Sequence, residues 1–377
     1  MRLGKINLNH YVNYVVIGLL TIILSVNTFA GGRFDNSLLF LLEKMAINIV
    51  LAVSLSLVVG FLGELSLGHA GFMCVGAYIG GKVSALLVPT MGNGILAFVI
   101  ALAAGCAAAA ICGLIIGIPA LRLRGDYLAI VTLAFGEIVK SLFQNTSDES
   151  FGGTLGLSTP RFDKRYLFII AFVLVLLTLA VVQNFIRSKH GRAVTAIRDN
   201  EIAAKATGIN VTKYKLTAFI LSATFAGVAG VLYSYSNYNV QSAKFGYNYS
   251  IEILVMVVLG GMGSINGSII AAALITWLNT WLPTKLTGDL AVLQNLFYAL
   301  ILIVIVVYNN APALKSFRDK YSLSNLTQKL VKHDPANIKD DKAKWDVVPT
   351  KISMDEILSV DVTPQNLSED KPKGGKG

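Results

Sequence analysis

The stretch that decides the fold is RSKHGRAVTAIRDNEIAAKATGINVTKYK, residues 187–215. It is rich in Lys and Arg, and long apolar runs precede and follow it. Basic segments between membrane spans stay on the cytosolic side. The stretch therefore predicts a cytosolic segment within a membrane protein, at a place where a soluble partner can reach it.

The composition supports the membrane interpretation: 54% of the 377 residues are hydrophobic and only 14% are charged, against about 25% charged in soluble domains. We predict an all-α fold, a polytopic transmembrane helical bundle surrounded by lipid. Most of the basic residues flank apolar runs, so positive-inside topology explains the net charge of +10 and we expect no nucleic-acid partner. Cys74, Cys106 and Cys112 lie in apolar stretches without a Cys-x-x-Cys pair, so we expect no metal site and no cofactor.

Windows of about 20 apolar residues, the length that crosses a hydrocarbon core of about 30 Å, predict roughly ten spans. They fall at residues 11–29, 45–62, 70–88, 94–118, 127–143, 166–186, 214–235, twice within 250–282, and at 290–308. The run 250–282 is too long for one untilted span, and four glycines interrupt it: Gly260, Gly261, Gly263 and Gly267. We predict two helices there, one of them short, that meet at a glycine-rich break.

Charge also predicts the topology, because cytosolic segments carry the excess of Lys and Arg. With the N-terminus inside, four basic groups fall on the cytosolic side: Arg2 with Lys5, Arg122 with Arg124, residues 187–215, and Lys315 with Arg318 and Lys320. Both termini are then cytosolic. Residues 1–30 resemble a signal peptide, but their apolar stretch is longer than a usual signal segment and we expect it to be retained as a span.

Two domains follow from these patterns. Residues 1–321 form the transmembrane domain, which contains the cytosolic segment 187–215. Residues 322–377 are polar, rich in Lys and Asp, and show no sustained apolar period. We expect them to form a cytosolic tail that is largely disordered.

Polar residues in apolar surroundings are functional candidates, because a charge at the bilayer centre costs about 2.5–3.5 kcal/mol on insertion scales. We assign five such residues to a solute path: Ser66, His69, Gly71, Tyr127 and Glu137. Structural hydrogen bonding is the alternative for Ser66, His69 and Glu137. The sequence lacks a G-x-S-x-G turn and a well-placed acid, so we assign no catalytic residue and expect no enzyme.

Residues 199–208 predict a short helix with small side chains. Asp199 or Asn200 can cap its N-terminus, and Gly208 can adopt the left-handed conformation at its C-terminus. Such a helix, held between two spans, suits a groove on a soluble protein. Its pattern, Glu201-x-Ala203-Ala204-x-x-x-Gly208, resembles the EAA coupling loop of ABC importer permeases.

Three further blocks resemble the LivM type of branched-chain amino acid permease: LSLGHAGFMCVGAY (65–78), LRLRGDYLAIVTLAFGEIVK (121–140) and VLGGMGSINGSIIAAALI (258–275). The similarity covers about residues 45–308 and favours this type over the ribose-type permeases. It implies the ABC importer permease fold, and a subunit that moves branched-chain amino acids across the bacterial inner membrane.

The same resemblance implies partners and contacts. The partners are a second, LivH-like permease subunit, two cytosolic ATP-binding subunits that hydrolyse ATP, and an extracytoplasmic solute-binding protein. The residues that would contact the ATPase are Glu201, Ala203, Ala204 and Gly208, and we assign the neighbouring Arg198 to the same site. Two alternatives stay open: an ABC permease for another small solute, such as a sugar or urea, and a secondary transporter driven by an ion gradient through Glu137.

Overall fold

The structure is a computed structural model that describes residues 36–92, 94–123, 125–160, 162 and 164–285, together with positions 14, 17–19, 21, 22, 25, 300, 303 and 307. All of these belong to one compact unit that ends at Asn309. The predicted spans at 11–29 and 290–308 lie mostly outside the described residues, and the tail 322–377 lies wholly outside them.

The described residues form a helical bundle, as predicted. Its helices are α1 Asn36–Ser56, α2 His69–Met91, α3 Ile95–Ala120, α4 Asp126–Gln144, α5 Asp148–Phe151, α6 Lys164–Arg187, α7 Lys189–Asp199, α8 Glu201–Ala206, α9 Val211–Asn237, α10 Tyr247–Gly260 and α11 Ile265–Lys285. A π-helical turn, Leu57–Leu62, continues α1, and a 3₁₀ turn, Ser242–Phe245, precedes α10. The two-residue strands β1 Leu157–Ser158 and β2 Asn239–Val240 pair antiparallel.

Six described helices are long and apolar enough to cross a membrane, which makes the chain a multi-pass membrane protein. They are Asn36–Leu62, His69–Thr90, Ile95–Ala120, Tyr166–Arg187, Val211–Asn237 and Ile265–Pro283. The helix α10 is apolar but shorter, and α4, which matches the predicted span at 127–143, is not among the six. The described residues alone do not reach ten spans, so that count stays a prediction.

The run 250–282 is split where the glycine cluster predicts. The helix α10 ends at Gly260 and α11 begins at Ile265. Between them Gly261 and Gly263 have φ values of +92° and +84°, which L side chains rarely adopt. The backbones of Gly260 and Gly267 also touch, and a β-carbon on Gly267 would overlap the carbonyl of Gly260. Both features of the break therefore depend on glycine.

The helix α1 lies at the centre of the bundle, because every residue from Ala46 to Gly60 is buried. Around it, α2, α3 and α9 pack closely through small residues. A β-carbon on Gly76 would meet the backbone of Gly227, and one on Gly230 would meet the carbonyl oxygen of Met73. Glycine at such positions lets transmembrane helices approach backbone to backbone.

We expect Gly230→Ala to destabilise the bundle by about 1–3 kcal/mol, because the added methyl group forces α2 and α9 apart. The control is Gly94→Ala, since nothing lies within 4 Å of a β-carbon at Gly94. Thermal unfolding of the two purified variants measures the difference. Equal melting temperatures would show that the α2–α9 contact tolerates a side chain.

Candidate functional site

The segment 188–210 joins α6 to α9 and is built from two short helices, α7 and α8, whose starts are capped. The Ser188 hydroxyl accepts a hydrogen bond from the backbone N–H of His190 at 3.1 Å. The Asn200 side chain accepts one from the N–H of Ala203 at 3.0 Å, so Asn200 is the cap of α8. Each cap satisfies an N–H group that lacks a partner in its helix, and together they fix where the chain turns.

Gly208 ends α8 in the predicted left-handed conformation, with φ +84°. Its N–H donates to the carbonyl oxygen of Lys205 at 3.0 Å, and the N–H of Ile209 donates to that of Ala204 at 3.1 Å. Asn210 then caps α9 by accepting from the N–H of Lys213 at 3.1 Å. The passage from α8 into α9 is therefore held by two backbone hydrogen bonds and one side-chain cap.

The small residues of α8 face in opposite directions. Ala204 is only 4% exposed and packs against Ile197 of α7 and Val211 of α9. Ala203 is exposed, and Ile202 beside it is 77% exposed. Ala204 therefore holds α8 against its neighbours, while Ile202 and Ala203 form the outward surface. Sequence reasoning missed Ile202, although a single large apolar side chain in this short helix was a usable signal.

A network of charges joins α8 to two other parts of the chain. The ammonium group of Lys215, near the start of α9, lies 2.5 Å from Glu64 Oε1 and 3.2 Å from Glu201 Oε2. Glu201 Oε1 also pairs with Lys205 at 3.2 Å. Glu64 belongs to the connection between α1 and α2. The side chain of Glu201 thus contacts lysines of its own chain, and Lys215 is the central cation of the network.

Arg198, at the end of α7, contacts the end of α1. Its Nη1 donates to the carbonyl oxygen of Gly60 at 3.0 Å, and its Nε and Nη2 donate to Asp199 Oδ1. A β-carbon on Gly63 would collide with the aliphatic part of Arg198, so the arginine lies flat over that glycine. Gly60 belongs to the π-helical turn, a feature that is frequent at functional sites.

The same turn contacts the glycine-rich break. A β-carbon on Gly60 would meet the backbone nitrogen of Gly263. Arg198, Gly60 and Gly263 therefore form a continuous series of contacts from α7, through the end of α1, to the connection between α10 and α11. The predicted coupling residues and the predicted helix break lie at the same end of the bundle.

The residues assigned to a solute path contact different helices from one another. His69 is buried, and its Nε2 lies 2.7 Å from the Ser54 hydroxyl of α1. The Ser66 hydroxyl is buried and has no hydrogen-bond partner among the described residues. Gly71 packs against Gly136 of α4.

The other two path residues lie on α4. Glu137 pairs with Lys140 at 2.8 Å and accepts a hydrogen bond from the backbone N–H of Tyr247 at 2.8 Å. Tyr127 is 70% exposed. His69 thus faces α1 and Glu137 faces α10, so these two side chains point to different parts of the bundle.

Comparison with known proteins gives the family. Residues 37–307 match a family model described as branched-chain amino acid transport system / permease component. The high-affinity branched-chain amino acid transport system permease protein LivM of Salmonella typhimurium is 39% identical over 61% of this chain and 60% of its own length. The protein of the same name from Escherichia coli is 34% identical, over 74% of this chain and 70% of that protein.

The ribose import permease protein RbsC of Escherichia coli is 28% identical over 78% of this chain and 92% of that protein. No solved structure matches the chain significantly. The family match covers most of the chain, and it includes the segment 188–210 and the glycine-rich break. The resemblance to the LivM type is confirmed, and the chain belongs to the family of permease components of branched-chain amino acid transport systems.

Proposed function

We propose that this chain is the membrane-embedded permease subunit of an ABC importer that moves branched-chain amino acids across the bacterial inner membrane. Two relatives that carry this transport activity in their names, at 39% and 34% identity, support the proposal. The bundle has about ten spans with both termini in the cytosol, so the segment 188–210 also lies in the cytosol. The chain is a transport subunit, and separate subunits hydrolyse ATP.

The partners in this proposal are a second, LivH-like permease subunit, two cytosolic ATP-binding subunits and an extracytoplasmic solute-binding protein. The helix α8 docks on an ATP-binding subunit through Ile202 and Ala203, which form its exposed surface. Arg198, Glu201, Ala204 and Gly208 position this surface. The observation that carries the proposal is that α8 exposes an apolar face while its other side is bonded to the bundle.

The same contacts suggest how force reaches the membrane. A displacement of α8 moves Glu201, and the buried Lys215 passes this to α9 and Glu64. A displacement of α7 moves Arg198 against the end of α1 and the neighbouring break at Gly263. Rigid helices joined at glycine connections are suited to rocking motions that alternate access to a central path.

Ser66, His69, Gly71, Tyr127 and Glu137 stay predicted path residues. A buried hydroxyl at Ser66 and the bond between His69 and Ser54 place polar groups at the start of α2. These groups suit either a solute path or structural hydrogen bonding.

Co-purification and uptake test the proposal together. The chain is expressed with its candidate partners in a strain that lacks endogenous leucine uptake, and labelled leucine, ribose and urea are compared. We expect an ATP-binding subunit to purify with the chain and leucine uptake to require it. Leucine uptake that persists without any ATPase would establish the ion-driven alternative instead.

A sugar is the second candidate solute, because the ribose import permease is 28% identical over 78% of this chain. The segment 188–210 bears on the source of energy and not on the solute. Uptake of ribose without leucine in the same strain would favour this candidate.

We expect Ile202→Ser to weaken docking of the ATP-binding subunit about tenfold or more, since a buried aliphatic side chain contributes about 1.5–3 kcal/mol. The matched control is Leu123→Ser, which removes an exposed apolar side chain in a different connection. Titration of the purified ATPase onto the membrane subunits measures both affinities. Equal affinities for the two variants would exclude Ile202 from the interface.

A further inference from the structure

A cavity of about 370 Å³ lies between α1, α9, α10 and α11. Pockets for small molecules usually measure about 300–1,000 Å³, so this cavity suits a small solute. Lys44 and Glu252 of its lining lie in the first halves of α1 and α10, and Asn237 and Asn279 lie in the last thirds of α9 and α11. Because these helices alternate in direction, the four residues lie toward the same end of the bundle.

The cavity lies toward the end of the bundle that is opposite to the contact between Arg198 and Gly60. Lys44 and Gly60 lie on one continuous helix and are separated by roughly 24 Å, at a rise of about 1.5 Å per residue. Gly60 is the residue that Arg198 contacts. If the segment 188–210 is cytosolic, the cavity lies on the extracytoplasmic side, where an importer receives its solute.

The lining carries charges of both signs. Lys44 and Glu252 both line the cavity, and in the part of the chain that the structure describes no salt bridge joins them. Lys244 is a second cation at the cavity, and Ser236 of the lining donates a hydrogen bond to the buried Glu43 at 2.6 Å. The cavity therefore presents both an ammonium group and a carboxylate, which suits a solute that carries both charges.

The polar groups around Glu252 are held in place. The Asn279 amide of α11 donates to Glu252 Oε1. The Tyr249 hydroxyl, one turn before Glu252, donates to Asn48 Oδ1 at 2.8 Å, and the Asn48 amide donates to Thr276 at 2.8 Å. These bonds connect α1, α10 and α11, so the carboxylate of Glu252 has a fixed position at the cavity wall.

The lining also contains aromatic and aliphatic side chains, beside one further polar residue, Ser236. Phe40, Ile47 and Phe245 contribute to it, together with the ring of Tyr233. Small-molecule sites combine apolar and aromatic surface with polar groups that fix the orientation of the ligand. Phe40 and Ile47 offer an apolar surface for an aliphatic side chain, beside the opposite charges of Lys44 and Glu252.

We propose that this cavity binds a zwitterionic aliphatic amino acid during transport, with Glu252 facing its ammonium group, Lys44 facing its carboxylate, and Phe40 and Ile47 contacting its side chain. The proposal rests on the proposed import of amino acids. It places a solute-binding site inside this chain, in addition to any site on the solute-binding protein.

Uptake by the assembled importer in proteoliposomes, at saturating leucine-loaded binding protein, tests the proposal. We expect Glu252→Gln and Lys44→Gln each to lower leucine uptake about tenfold or more, as expected when one charge-assisted contact to the solute is lost. Glutamine at position 252 retains an oxygen that accepts from Asn279, so a purely structural role predicts little change. Glu252→Asp retains the charge and is expected to restore part of the uptake.

The matched control is Glu149→Gln, an exposed carboxylate that precedes α6 and does not line the cavity. Uptake by Glu252→Gln and Lys44→Gln within twofold of the unmodified importer would overturn the proposal. Failure of the unmodified importer to transport leucine would instead overturn the proposed function, so the two failures are distinct.

A labelling experiment covers the case in which the charge variants do not assemble. In Asn237→Cys, which leaves Lys44 and Glu252 intact, a membrane-impermeant maleimide is applied from the extracytoplasmic side with and without leucine. We expect leucine to slow the labelling of this cysteine, and ribose to leave it unchanged. Equal rates with and without leucine would overturn the proposal.

Discussion

Replacement of Lys215 by Met is expected to destabilise the folded chain by about 3–5 kcal/mol, the cost of removing one partner from a buried ion pair. The side chain of Lys215 is only 6% exposed, and it lies between the carboxylates of Glu64 and Glu201. Methionine fills a similar volume, so packing changes little. The loss of stability arises because the largely buried Glu64 loses its cation, while Glu201 keeps only the more exposed Lys205.

Two further variants separate this effect from a general loss of charge. Lys213→Met removes an exposed lysine on the same turn and is expected to leave the melting temperature unchanged. Lys215→Met combined with Glu64→Gln removes both members of the closest pair and is expected to recover most of the stability. Thermal unfolding of the purified proteins measures all three. A single variant Lys215→Met that melts like Lys213→Met would contradict the buried network.

Local features of this chain could be predicted from the sequence, because the rules that govern them act over a few residues. The left-handed Gly208 follows from a glycine that comes directly after a short helix. A cap at Asp199 or Asn200 was predicted, and the structure selects Asn200. The split of the run 250–282 follows from its length and its glycines.

Contacts between distant residues could not be predicted in this way. Lys215 and Glu64 are 151 residues apart, and the sequence alone does not indicate that these two charges pair. The two faces of α8 were also hidden, because Ala203 and Ala204 are chemically identical and only the packing against Ile197 and Val211 distinguishes them. A residue's orientation depends on its helix's neighbours, which one sequence does not define.

The residues that line the cavity could not be grouped from the sequence either. Glu252 is conspicuous in the sequence as an acid inside an apolar run, but its partner Asn279 is on the next helix and Lys44 is on α1. The assignment to a site therefore required three helices to be placed together. Conversely, Tyr127 is conspicuous in the sequence but is largely exposed.

The two ends of the bundle are linked through α1. This helix carries Lys44 at the cavity and continues into the π-helical turn at Gly60, which Arg198 contacts. A helix that is buried on all sides moves as a rigid element when its end is displaced. The contact between Arg198 and Gly60 is therefore the place where a displacement of α7 would first reach the transport path.

Arg198→Ala is expected to lower solute uptake about tenfold or more, because a hydrogen bond from a charged donor contributes about 1.5–3 kcal/mol. The contact at stake is the one from Arg198 Nη1 to the carbonyl oxygen of Gly60, at 3.0 Å. The pairing with Asp199 contributes little, since both side chains are substantially exposed. ATP hydrolysis by the assembled complex should continue, because the exposed face of α8 is unchanged.

Arg192→Ala is the matched control for this variant, since Arg192 is an exposed arginine on the same helix α7. Uptake and ATP hydrolysis are measured on the same proteoliposomes, and their ratio is the quantity of interest. In Arg198→Ala the ratio of solute moved to ATP hydrolysed should fall, whereas in Arg192→Ala it should stay constant. A parallel loss of uptake and hydrolysis would place Arg198 in docking of the ATPase. Only a fall in the ratio identifies the contact with Gly60 as the step at which hydrolysis is converted into movement of α1.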